Sequence, residues 1–287
     1  MGAARTSRYV DMGQDMARTW NRELHTPRVT AAAVACVCTG GVTRALPSGI
    51  LGSWAVAMSV SSLLAPQGHV RVAVNLGNPL LAWLDRSGEP AGPAVALAGE
   101  IARRLGLQPV FVTYDGAGRV VDAVAADEWD LAFLAFDPLR AQQIAFSRPY
   151  RVIEGALLVR AQESWTDWHE LDHPGIRVAA ARGAAYALHL ERALKSAALV
   201  YALTSADTPD LYLREGLDAA AGIREPLQAW AERHPGHRVM EPAFMQIRQA
   251  VAVPAARGAD VAAEIDAIVS MLIDSGFIAS LFASRED

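Results

Sequence analysis

Residues 131–150 read LAFLAFDPLRAQQIAFSRPY and leave the chain few local options. An apolar run stops at Asp137-Pro138, and apolar character returns at Ile144-Ala145-Phe146. Pro138 fixes its own φ and disfavours helix at Asp137, so the chain must leave a strand there. Proline also suits the first position of a helix, with Asp137 as its cap. The segment therefore reads as a strand, a break, and a helical turn holding Arg140. A guanidinium beside free helix N–H groups is suited to holding a carboxylate. The same residues equally allow an ordinary surface arginine paired with Asp137 or another acid.

Strand and helix patterns alternate on both sides of this stretch, which predicts an α/β protein with mostly parallel sheets. Residues 69–74 (HVRVAV) alternate as a strand and run into the turn-rich loop Asn75-Leu-Gly-Asn-Pro79. Ligands in such folds bind beyond the carboxyl ends of strands. Asn75 and Asn78 would offer amides there, and Gly77 would allow close backbone approach; a plain turn is the alternative. Residues 94–105 have helical spacing and end at Gly106, a C-cap. Strands are expected at 110–114, 130–136, 153–159, 176–181, 199–203, 216–221, 238–240 and 249–253. Helices are expected at 120–126, 184–194, 208–214 and 226–233. The segment 261–283 has helical apolar spacing, broken at Ser275-Gly276-Phe277.

Two motifs invite chemistry that their context argues against. Asp115-Gly-Ala-Gly118 lacks the third glycine of a dinucleotide fingerprint, since Val121 stands there. No cofactor is expected. His169-Glu-Leu-Asp-His173 matches the H-E-x-x-H pattern of zinc hydrolases, but Pro174-Gly175 end any helix at once. A short turn before the next strand is the expectation, with no metal. The net charge of −5 comes without a basic block or stripe, which argues against nucleic acid as a partner. The only cysteines, Cys36 and Cys38, give neither a disulfide framework nor a zinc site.

The N-terminal part supports three readings. Leu46–Trp54 followed by Ala55-Val56-Ala57 reads as an export signal with its cleavage site. Residues 29–35 before Cys36 read as a poor lipobox. Met58 reads as an internal start, with the preceding residues an over-extension. The expected boundary places residues 1–68 in a poorly ordered N-terminal extension or export signal.

Arg140, followed by Phe146-Ser147-Arg148-Pro149-Tyr150, resembles the corresponding segment of the amino-acid-type (family 3) solute-binding proteins of ABC transporters. The resemblance runs from about residue 64 to the C-terminus. It implies a two-lobed type II periplasmic-binding-protein fold with two crossover strands as hinge and a C-terminal helix on lobe one. Lobe one would comprise 69–154 plus 247–287, and lobe two 155–246. In that family the arginine clamps the ligand carboxylate, a role that falls on Arg140, with Phe136 and Asp137 beside it. The loop carrying Asn75, Gly77 and Asn78 lines the cleft there.

From lobe two, the helix start at Gly183, Ala184 and Tyr186 would meet the same carboxylate. The family usually carries Gly-Thr or Gly-Ser where this chain has Gly183-Ala184, so only backbone donors remain. Its ammonium-binding aspartate falls on Ile223, with Arg224 adjacent. The ligand then lacks an α-ammonium, carries a second acid that Arg224 meets, or is served by Glu225. Glu154 and Gln246 lie on the two crossovers. Glu154 is either a ligand contact or a hinge residue paired within the protein. The resemblance implies a monomeric binding protein that passes a small carboxylate or amino-acid-like ligand to a membrane permease. It would work in the periplasm or at the cell surface, or in the cytoplasm if translation starts at Met58. The rivals are a cyclohexadienyl-dehydratase-like enzyme using Glu154 for proton transfer, and a soluble ligand sensor.

Overall fold

The computed structural model describes residues 59–283, so the N-terminal signal, lipobox and start-site readings fall outside the described residues. A short helix α1 (Val60–Leu64) precedes strand β1 (His69–Asn75). A small hairpin, β2 (Trp83–Leu84) and β3 (Pro90–Ala91), leads into α2 (Pro93–Leu105). Helix α2 buries Ala94, Leu97, Ala98, Ile101 and Ala102, the i, i+3, i+4 stripe expected of a helix laid on a sheet. It stops at Gly106, whose φ of 68° is the left-handed cap the sequence signals. Then come β4 (Gln108–Tyr114), α3 (Ala117–Asp122) and β5 (Leu131–Ala135), the last buried at every position.

The helix expected at Arg140 is a single 3-10 turn, Arg140–Gln142. Asp137 does hold that turn, accepting from the Leu139 N–H at 2.9 Å. It cannot lengthen, because the chain re-enters strand at Ile144 for β6 (Ile144–Arg160). This 17-residue strand is longer than the segment expected at 153–159 and carries the chain from lobe one to lobe two.

Lobe two holds β7 (Arg177–Ala181), α4 (Ala185–Ala193), β8 (Ala198–Ala202), α5 (Thr208–Arg214), β9 (Ala219–Ile223), α6 (Arg224–Arg233) and β10 (His237–Val239). The chain returns along β11 (Met245–Pro254) and closes with α7 (Ala259–Asp274) and α8 (Phe277–Ala283), which break at Ser275-Gly276 as expected. His169 and the preceding Trp168 lie in a 3-10 turn, and His169 is exposed against Asp167. Among the described residues no cluster of side chains has the make-up of a metal site.

The main sheet has the order β4-β1-β5-β11-β6-β9-β7-β8, with β10 paired to β6. The outer strands of each lobe are parallel, as helical crossovers require. The hinge strands are not: β11 runs antiparallel to β5 and β6, and β6 antiparallel to β9. The expectation of mostly parallel sheets therefore fails at the hinge, where one strand leaves a lobe and the other comes back. Helices α2 and α7 pack their apolar stripes on lobe one around Val72, Leu131 and Val251. Lobe two packs around Leu157, Val178, Tyr186 and Ala221, in a cluster that also takes in Ala135 and Ile247.

A buried charge cluster ties β1 to β5 in lobe one. The Asp130 side chain is 1% exposed and pairs with Arg71 at 2.7 Å and Arg257 at 2.6 Å. Burial alone would raise its carboxyl, but hydrogen bonds from the Arg71 guanidinium and N–H, and from Arg257, outweigh this and hold it below its ordinary value. A depressed carboxyl stabilises the fold above its unfolded value of about 4 and loses that contribution as pH falls through the folded value. The melting temperature should therefore fall as pH drops below about 4. In Asp130→Asn, a thermal melt series from pH 7 to 3 should show a shallower fall from a lower starting point. An equal slope in both proteins would remove Asp130 from the account.

Candidate functional site

The carboxyl ends of β1, β5, β7, β8 and β9 all meet at one cavity between the lobes, as expected of open α/β sheets. Lobe one contributes Asn75, Gly77 and Asn78 after β1, the start of α3 at Gly116 and Ala117, and Phe133, Ala135 and Arg140. Lobe two contributes Ala184 and Tyr186 at the start of α4, Thr204 and Ser205 after β8, and Ile223 at the end of β9. The return crossover contributes Ile247 and Gln249.

Arg140 is the centre of this site. It is 2% exposed, and Nη1 donates to the Ala135 carbonyl at 2.8 Å. Its Nη2 donates to the Gly183 carbonyl at 2.8 Å, across the cleft, and its Nε is buried without a partner. Burial pulls the guanidinium down to about 10, opposed by the nearby charge of Asp137, so it remains a cation at neutral pH. Among the described residues no carboxylate forms an ion pair with it. Asp137 lies close in sequence but is committed to Arg192 of α4 at 2.8 Å. That pair is a second bridge between the lobes.

The lobes also touch backbone to backbone. Gly183 adopts φ +68°, a conformation glycine reaches without strain, and a Cβ there would lie 2.7 Å from the Cα of Gly118. The β7–α4 turn thus lies directly on the first turn of α3. With the lobes in this arrangement the cavity measures about 40 Å³, room for no more than a few waters. A ligand of amino-acid size enters only as the lobes move apart.

Of the residues singled out from the sequence, Asn75, Gly77, Asn78, Arg140, Ala184 and Tyr186 line this cavity, and Gly183 borders it through its carbonyl. The others lie elsewhere. Phe136 is partly exposed and packs edge-on to Phe146, with ring centres 5.5 Å apart. Asp137 is buried against Arg192. Glu154 pairs with Arg224 Nε at 2.5 Å, and Arg224 also bonds Glu241. Neither member of the Glu154–Arg224 pair lines the cavity. Gln246 is exposed, opposite Glu154 in the β6–β11 ladder.

Strand parity places Gln246 outside the cavity lining. Alternate residues of a strand face opposite sides, so Ile247 and Gln249, not Gln246, reach the cleft. The same rule favours Ala135 over Phe136. Thr204 and Ser205 were also missed; they follow β8, and the strand-end rule applied to every strand would have flagged them.

The sequence profile of the bacterial extracellular solute-binding proteins, family 3, matches residues 70–284. The chain belongs to this family. Among solved structures it is similar to a mutant of ArgBP from T. maritima, with TM-score 0.67 and 21% identity, covering 79% of this chain and 98% of that one. It is similar to a cysteine-binding protein from Campylobacter jejuni, with TM-score 0.68 and 20% identity, covering 79% and 92%. An ancestral amino-acid-binding protein, a precursor of cyclohexadienyl dehydratase, matches with TM-score 0.66 and 18% identity, covering 79% and 99%. At these identities the likeness is one of fold: the two-lobed type II periplasmic-binding-protein architecture. A search of curated protein sequences returns no match.

Proposed function

We propose that this protein captures a small carboxylate of amino-acid size between its lobes and delivers it to an ABC-type permease in the membrane. The observation that carries the reading is Arg140: a buried cation in the inter-lobe cavity, with a free Nε and no carboxylate partner. Burying an unpaired charge is costly, and an anionic ligand would remove that cost. The contacts of Arg140 and Asp137 with the opposite lobe support closure as part of capture. Membership of an extracellular solute-binding family supports action outside the cytoplasmic membrane, in the periplasm or at the cell surface.

The test is a thermal-shift screen of the full chain against small carboxylates and their matching amides. A ligand that binds only the folded state stabilises it by about 2.7 kcal/mol at a hundredfold excess over Kd. For a protein of this size that raises the melting temperature by several degrees, roughly 2–4 °C per kcal/mol. Carboxylates should do so and amides should not. A well-folded protein that responds to no carboxylate, or equally to the amides, would overturn the reading.

A further inference from the structure

A second cavity adjoins the cleft and shares part of its wall. Ser205 and Ile223 line the cleft cavity and also line a second one of about 190 Å³. Pro79 of lobe one closes it on one side, and Pro209, Pro226, Leu227 and Trp230 of lobe two on others. This wall is almost wholly apolar, with Arg233 as its charged member. Apolar cavities of about 150 Å³ take up a benzene ring, so this one has room for an aromatic or branched aliphatic group.

The polar end has an equally definite character. Among the described residues no acidic residue lines either cavity. Asp137 and Glu154 are held by Arg192 and Arg224, and Asp115, next to Gly116, is exposed and outside the lining. Asp207, just past β8, accepts from the Thr204 hydroxyl at 2.7 Å. The side-chain oxygens of Asn75 and Asn78 accept from the N–H groups of Gly77 and Leu80 at 3.0 and 3.2 Å. Each asparagine keeps both donors of its NH2 and one lone pair of its oxygen free of these bonds. The site is rich in donors and carries positive charge, and an ammonium buried beside Arg140 would meet no counter-charge.

We propose that the ligand is a monocarboxylate bearing an apolar tail and no ammonium group. Its carboxylate lies at Arg140, and its tail passes Ser205 and Ile223 into the cavity beside Trp230. This rests on the carboxylate reading above and narrows it. Ile223 borders both cavities and presents only hydrocarbon to each.

The test measures Kd by calorimetry for propionate, 3-phenylpropionate and L-phenylalanine on the full chain and on Ala206→Trp. Ala206 is exposed at the rim of the second cavity, so an indole there fills space without emptying the core. The wild type should bind 3-phenylpropionate at least about tenfold more tightly than either of the others, a difference of about 1.4 kcal/mol. The variant should lose affinity for 3-phenylpropionate by a larger factor than for propionate. Equal binding of propionate and 3-phenylpropionate would overturn the tail site and leave the carboxylate reading standing. L-phenylalanine binding as tightly as 3-phenylpropionate would overturn the exclusion of an ammonium. Binding of none of the three would overturn this inference, and a failed carboxylate–amide screen alongside it would take the carboxylate reading down too.

Discussion

Arg140→Ala is expected to remove carboxylate binding almost entirely. Truncating one partner of a buried, hydrogen-bonded charge pair costs about 2–5 kcal/mol, which is roughly thirtyfold to several-thousandfold in Kd. The upper part of that range applies here because Arg140 is buried, whereas Arg182, the other arginine among the described residues of the lining, is exposed. The effect on folding is smaller and its parts oppose one another. The carbonyls of Ala135 and Gly183 lose their donors, at about 1–3 kcal/mol for each one left unsatisfied. Against this, the protein no longer buries an unpaired guanidinium. Circular dichroism and a melt would show a folded variant, and calorimetry would show binding lost. A folded Arg140→Ala that binds within threefold of wild type would show that the anion is held elsewhere.

Gly183→Ala is expected to hold the lobes apart. Two effects separate cleanly. The left-handed backbone at Gly183 costs a residue with a Cβ about 1–2 kcal/mol in open and closed forms alike, and lowers the melting temperature by a few degrees. The clash with Gly118 at 2.7 Å arises only when the lobes meet, and both atoms belong to backbone that cannot swing aside. A ligand that needs the closed form then binds more weakly, in proportion to the lost closed population. At least a tenfold rise in Kd is expected, with a larger radius of gyration by small-angle X-ray scattering at saturating ligand. Gly118→Ala is the control: its Cβ would sit 3.4 Å from Gly183 and Arg182, at the edge of ordinary contact, and alanine favours its helix. It should close and bind nearly as the wild type does. Gly183→Ala binding with unchanged affinity and compaction would mean that closure does not bring these turns together.

The reach and the limits of the sequence show at particular residues. Pro138 announced the end of β5 because a proline acts on its own φ and on its neighbour, both local effects. Gly106 announced the end of α2 for the same kind of reason. The loop after β1 was found because a strand followed by turn residues marks a strand end, and strand ends are where such folds place ligands. Glu154 went the other way. An acid in an apolar strand could face a ligand or a protein partner, and the partner is Arg224, seventy positions along the chain. Asp137 has the same history: legible as a turn-former, illegible as one half of a bridge to Arg192.

What the sequence determined by itself was the succession of strands and helices, the break before Arg140, and the family pattern that makes that arginine the centre of the site. These depend on periodicity, proline and glycine, which act over a few residues. The tertiary structure decided which face of β11 meets the cleft, which charges are spent on one another, and how closely Gly183 approaches Gly118. It also decided that Ser205 and Ile223 form a wall common to the cleft and to a second, largely apolar cavity. Each of these depends on segments remote in sequence being brought together by two lobes that pack their own cores. Nothing local to any one segment records where the other will be.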